Sequence, residues 1–379
     1  MTLFRSGVAV VSLLLLAAGC GGGGGNRRRP EVPPALPADA PRPGPAPAVT
    51  DPPRTVGPVL LTPQSSGTTV RLQAISAASP TVVWGSGTGG SYVLTLNGGK
   101  TWLTGKVAGA DSLEFRDVQA VDAKTAYLMS AGNGPSSRIY KTTDGGVNWQ
   151  IQYINKEPEA FFDCFAFWNK ESGLVFSDNV RGVFPMLRTG DGGQRWEDVT
   201  NGPAATKGEG AFAASGTCVA THGDKSAWIA TGAGEQARIL FTPDRGATWK
   251  SWVVPVPQGT PTTGLTSVAF RTPLDGIAGG GDIGKPDGQG SIILTRDGGA
   301  TWTAGGTPTF AGAVYGIALV PSTTMAVAVG PKGASWSSDD GRTWQALDTL
   351  SYWSATFADR KTGWMVGPGG RITRIDLQR

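Results

Sequence analysis

Histidine is nearly absent from this 379-residue chain. His222 stands alone in a polar loop, which excludes a histidine-based metal centre or a Ser-His-Asp site. Cysteine is scarce, with only Cys20, Cys164 and Cys218, and charged residues make up 16% of the chain. The one long apolar run, Val8 to Leu16, is too short to span a bilayer. An excess of one charge is missing as well. Six of the 33 basic and three of the 29 acidic residues fall in residues 1–56, which leaves 27 against 26 for the rest. A near-neutral body gives no argument for nucleic acid, despite the formal charge of +4. Glycine strings such as Gly279-Gly280-Gly281 open no helical pattern, so no dinucleotide fingerprint is present and no cofactor is expected.

The first 20 residues read as an export signal, with Arg5, the apolar run, then Ala17, Ala18, Gly19 and Cys20. Small residues before a cysteine resemble a bacterial lipoprotein box, although Ala17 stands where Leu is commoner. The expectation is a signal peptide over 1–19 and lipidation of Cys20, the alternative being an ordinary secretory signal with a leftover cysteine. Residues 20–57 hold a glycine run, Arg27, Arg28 and Arg29, and a proline-dense stretch with little aliphatic pattern. Such a segment cannot bury enough surface to fold, and reads as a lipid-anchored stalk. The arginine triplet is either a lipid-headgroup contact or a solvated charge run.

Glycine (57) and tryptophan (13) are abundant, and they fall in a pattern. The turn TTDGGVNW at 142–149 recurs six times, anchored on Trp102, Trp149, Trp196, Trp249, Trp302 and Trp344, spaced by 47, 47, 53, 53 and 42 residues. Seven residues before each Trp stands a hydroxyl: Thr95, Thr142, Thr189, Thr242, Thr295 or Ser337. Five before stands Asn97, Asp144, Asp191, Asp244, Asp297 or Asp339, and three before always stands Gly. A short acceptor side chain closes an Asx-type turn, Gly supplies positive φ, and Trp caps the hairpin. One acid per turn makes a poor cation site, so these carboxylates read as structural and no metal is expected.

Upstream of each turn lies a short strand of period-two alternation. These inner strands are expected to begin at Ala74, Asp117, Cys164, Cys218, Ser267, Gly316 and Ser354. Four antiparallel strands in about 45 residues make a propeller blade. Seven starts predict an all-β, seven-bladed propeller over 58–379. The last unit ends after its third strand, so an N-terminal segment, either 58–62 or 69–72, must supply its outer strand and cover the edge.

The six turns are identified as Asp-box, or bacterial neuraminidase, repeats. Six of them in one seven-bladed propeller behind a lipoprotein signal resemble the photosystem II stability and assembly-factor propellers, over roughly residues 58–379. That resemblance implies a non-enzymatic, membrane-tethered, protein-binding factor on the bacterial cell envelope, at the outer face of a membrane. The alternative is a glycan-binding or sialidase-like hydrolase propeller. Against it, no Phe/Tyr-Arg-Ile-Pro motif occurs, the nearest string being Arg138-Ile139-Tyr140, and sialidases normally use six blades. The expected partner is an acidic or extended protein segment, with a glycan as the other ligand, bound by a monomer.

The docking face is expected at the channel mouth, opposite the repeated turns. Residues before the inner strands bring Arg71, Gln73, Glu114, Phe115, Arg116, Phe161, Phe162, Asp163, Tyr315, Tyr352 and Trp353 there, and loops bring Arg138, Arg181, Arg238, Lys285, Lys332 and Arg371. Either these aromatics and cations form a docking surface, or they are blade core and solvated loop ends. Cys164 and Cys218 occupy equivalent positions on adjacent inner strands. They are either a disulfide in an oxidising compartment or two buried thiols.

Overall fold

A computed structural model describes residues 51–378. The signal segment 1–19, the Cys20 lipidation site and most of the stalk, including Arg27–Arg29, lie outside the described residues.

The described chain forms seven antiparallel sheets arranged as a ring of blades. Inner strands run Leu72–Ala77, Glu114–Ala120, Phe162–Phe167, Val219–His222, Thr263–Phe270, Gly316–Leu319 and Ser354–Phe357. Each packs beside the inner strand of the next blade, and the seventh packs beside the first. Six blades have four strands. The seventh has five, because both Val59–Gln64 and Arg54–Val56 join it. Val59–Gln64 pairs along the whole of Ile372–Leu377, which closes the ring. One N-terminal strand was expected there. The second follows because the chain before Val59 reverses through Gly57-Pro58 and pairs back, setting Arg54 opposite Leu61.

The apolar core lies between blades, as period two and face-to-face packing require. Trp84, Phe115 and Tyr140 fill the layer between the first and second blades, and Tyr127, Phe162 and Phe165 the next. Trp228, fully buried, stacks on Phe270 at 3.7 Å and donates its indole N–H to the Gly298 carbonyl at 2.7 Å. Tyr92 and Tyr127 likewise donate to the Gly146 and Gly192 carbonyls, both at 2.7 Å. Aromatic side chains of one blade thereby clamp the turns of the next.

Near the axis, the short first side chain of an inner strand accepts a backbone N–H from the following blade. Asp117 accepts from Phe165 at 2.9 Å, and Ser267 accepts from Ile317 at 3.0 Å. Cys164 and Cys218 are joined by a disulfide, with Cα atoms 5.9 Å apart. Crowding at the axis thus explains why these positions are small or polar.

The six repeated turns share one hydrogen-bond pattern. The hydroxyl oxygen accepts the glycine N–H four residues on at 2.7–3.0 Å. The Asn or Asp oxygen accepts the N–H of the residue before Trp at 2.7–3.0 Å. Asn97 closes its turn as the aspartates do, since it keeps the acceptor oxygen.

Candidate functional site at the channel mouth

Four inner strands carry a bulge just before the residue at which period-two alternation begins. The bulges fall between Leu72 and Ala74, Phe115 and Asp117, Phe162 and Cys164, and Leu265 and Ser267. A bulge adds a residue with no ladder partner and re-aims its side chain. Here those residues are Gln73, Arg116, Asp163 and Thr266, all at the end of the blades opposite the repeated turns.

Around this end runs a continuous arc of half-exposed side chains. Tyr315 of the sixth blade stacks on Trp353 of the seventh, with ring centroids 4.7 Å apart. The guanidinium of Arg71 lies 5.2 Å from the Trp353 ring and donates to the Glu114 carboxylate at 3.2 Å. Arg116 donates to the same carboxylate oxygen through Nη2 at 2.6 Å and Nε at 3.0 Å, and lies 5.8 Å from the Phe161 ring. The arc therefore links blades six, seven, one, two and three through alternating aromatic and charged groups. Arg71 Nε is enclosed and finds no acceptor among the described residues.

Other candidates at this end are turned inward or held by neighbours. Gln73, Phe115, Phe162, Asp163 and Tyr352 were expected at the docking face but are buried. The pleat is the reason: neighbours in a strand point to opposite sides, so Phe161 and Trp353 face out while Phe162 and Tyr352 turn into the core. Tyr352 donates to Asp348 at 2.7 Å, and burial pushes its phenol up. Arg238 is buried too. Its guanidinium meets Glu209, itself fully enclosed, through Nε at 2.8 Å and Nη2 at 2.6 Å, so it is a structural ion pair and no docking cation.

The remaining cations are each held locally. Arg138 donates to the Pro135 carbonyl at 2.6 Å, Arg181 pairs with Glu159 at 2.9 Å, and Lys285 pairs with Asp282 at 3.3 Å. Lys332 pairs with Asp287, and Arg371 donates to the Ser351 carbonyl at 2.7 Å while lying over Tyr352. These five stand in or beside the second-to-third-strand loops at the same end of the blades, each engaged by its own neighbour, and Arg71 and Arg116 are the two that share one carboxylate within the arc.

Missed in the sequence was the long connection between the third and fourth blades. Ala211, Phe212, Ala213, Ala214 and Ser215 are all buried. Gln73 donates its amide to the Ala213 carbonyl at 3.2 Å, Ser354 donates to the Ser215 carbonyl at 3.0 Å, and Ser215 donates to the Tyr315 carbonyl at 2.7 Å. One loop thus touches the first, sixth and seventh blades and plugs the axis. The signal available was the step from 47 to 53 residues between Trp196 and Trp249, together with a run of small residues.

Asp163 and Asp178 face one another beside this loop. Desolvation, and then the Asp178 charge, hold Asp163 well above the usual carboxylate range, and desolvation pushes Asp178 up to about 6. Among the described residues no group of three His, Cys, Asp or Glu side chains gathers to hold a metal.

The fold has counterparts among solved structures. A structure described as YCF48 bound to D1 peptide has a TM-score of 0.59 and 16% identity, covering 88% of this chain and 99% of that one. YCF48 from Cyanidioschyzon merolae gives 0.54 and 16%, covering 83% and 98%. U3-55K gives 0.57 and 12%, covering 84% and 98%. No family model and no curated protein sequence matches the chain. These likenesses define the chain as a seven-bladed β-propeller.

Proposed function

We propose that the chain is a non-enzymatic protein-binding propeller of the Asp-box kind, resembling the photosystem II assembly factors and tethered to the outer face of a bacterial membrane through lipidated Cys20. The observation that carries this reading is the arc of Tyr315, Trp353, Arg71, Glu114, Arg116 and Phe161. Tyr, Trp and Arg are the residue types that dominate binding energy at interfaces: the aromatics offer large contact area at low entropic cost, and Arg adds a planar fork of donors. A row of them, half-exposed and held by mutual stacking and ion pairs, suits an extended peptide carrying acidic groups. The likeness in fold to YCF48, in a structure that holds a peptide, supports the same reading.

Most glycosidases outside the sialidases need a carboxyl pair open to the sugar. With the axial loop seated, the facing carboxyls of Asp163 and Asp178 are covered, the Ala211 N–H donating to Asp178 at 3.0 Å, and they are closed to a sugar in that arrangement.

The test is partner capture from detergent-solubilised membranes, read as a function of salt. Wild-type protein should sediment with the membrane fraction and bind its partner with an affinity that falls as salt rises. Arg71→Glu/Arg116→Glu should lose at least tenfold in affinity with an unchanged melting temperature, and Cys20→Ala should leave the membrane fraction. Equal binding by the double variant, or a larger loss from Arg195→Glu on the opposite face, would place the interface elsewhere.

A further inference from the structure

The loop from Glu209 to Thr217 is fastened at both ends and held between them by hydrogen bonds, at Gly210, Ala211, Ala213 and Ser215, more than by apolar packing. At one end the Glu209 carboxylate is clamped by Arg238 and by the hydroxyls of Thr206 and Thr231, at 2.6–2.9 Å. At the other, Cys218 is tied by its disulfide to Cys164, next to Asp163. Between these points the side chains are small, apart from Phe212, and offer little apolar area to hold the segment in place. Gly208 and Gly216, each with φ +73°, flank it as pivots that a Cβ would strain.

Its seat is anionic. The Asp178 carboxylate accepts the Ala211 N–H and lies so close to Gly210 that a Cβ there would fall 1.9 Å from Oδ1. Asp117 abuts Gly216 in the same way, its Oδ1 lying 2.2 Å from where a Cβ would sit. Asp163 Oδ2 is enclosed and receives no N–H or O–H donor. The charged groups facing this seat come from three elements. The second blade gives Asp117 and Arg116, and Arg116 is already paired with Glu114. The third gives Asp163 and Asp178 themselves. The loop gives Glu209, whose charge is spent on Arg238.

No unpaired cation therefore balances the two carboxyls. A proton does, since an O–H on one can donate to the other. With both ionised, like charges sit side by side in a desolvated site, and the interaction is repulsive. The nearest relief is water, and the Gly210–Ala211 segment that covers Asp178 is what keeps water out.

We propose that Glu209–Thr217 is a displaceable plug, seated in the channel while the Asp163–Asp178 pair carries a proton and released from its seat once both carboxyls are ionised. The sign follows from burial. Both carboxyls titrate above their unfolded value of about 4, so the seating they stabilise is complete below that pH and is lost as pH rises through about 6 and beyond. This holds whatever docks at the mouth.

Hydrogen–deuterium exchange of the full, oxidised chain between pH 5 and pH 8 tests it, with each rate divided by the intrinsic rate at that pH. Peptides covering 209–217 should lose at least tenfold in protection toward pH 8, while those around Asp297 hold theirs. Asp178→Asn keeps an acceptor for Ala211 and adds a donor for Asp163, so it should stay protected across the whole range. Asp163→Asn carries the same expectation if Asp178→Asn does not fold. A flat wild-type profile, an equal loss around Asp297, or a pH dependence that persists in the asparagine variant would overturn the proposal.

Discussion

Thr295 and Asp297 show what two short polar side chains do in each repeated turn. The threonine oxygen accepts the Gly299 N–H at 3.0 Å, and the carboxylate accepts both the Thr301 N–H at 2.9 Å and its hydroxyl at 2.6 Å. Donation by that hydroxyl and then by the amide holds the Asp297 carboxyl below its ordinary range. In the third blade Arg195 replaces the hydroxyl residue, and Asp191 keeps the backbone donor at 2.9 Å. Loss of a single acceptor costs about 1 kcal/mol, so Asp191→Ala should destabilise by about that amount and Asp297→Ala by more. The sign with pH is that of a depressed carboxylate: the stabilisation is present above about pH 4 and lost as pH falls through the folded value. Urea unfolding at pH 7 and pH 3 checks both points. An equal penalty at the two pH values, or a larger one for Asp191→Ala, would contradict the hydrogen-bond account.

Strands were legible wherever alternation was unbroken, and illegible where a bulge shifted it. Ala74, Asp117, Cys164 and Ser267, expected as strand starts, are the residues at which pairing resumes after a bulge. The strand ahead of each bulge was out of phase and so invisible. Bulges also hid the site, since they send Arg116 to the mouth and Asp163 inward. The length of the axial loop was signalled by the step in repeat spacing, but its position was not, because that comes from contacts with the remote Gln73, Tyr315 and Ser354. Within this element the disulfide closes a separation of 54 residues, which in a chain-entropy account stabilises by about 4 kcal/mol. Cys164→Ser/Cys218→Ser should accordingly lower the denaturation midpoint markedly. An unchanged midpoint would show that neighbouring blade contacts already fix the two strands.

At the scale of the molecule, blade number and ring closure followed from counting, because each repeat must bury its faces against its neighbours. Which side chains line the channel mouth did not, because whether an aromatic faces core or solvent turns on one residue of register: Phe161 against Phe162, Trp353 against Tyr352. Of the cations expected to ring the mouth, Arg71 and Arg116 join the arc through the Glu114 carboxylate. The rest are consumed by carboxylates and carbonyls close to them in the fold. A photoreactive amino acid placed at Phe161 or Trp353 in intact cells tests the central claim most directly. The expected result is a discrete protein adduct from both positions and none from Thr301, on the opposite face. Adducts from Thr301 alone, or equally from all three positions, would contradict it.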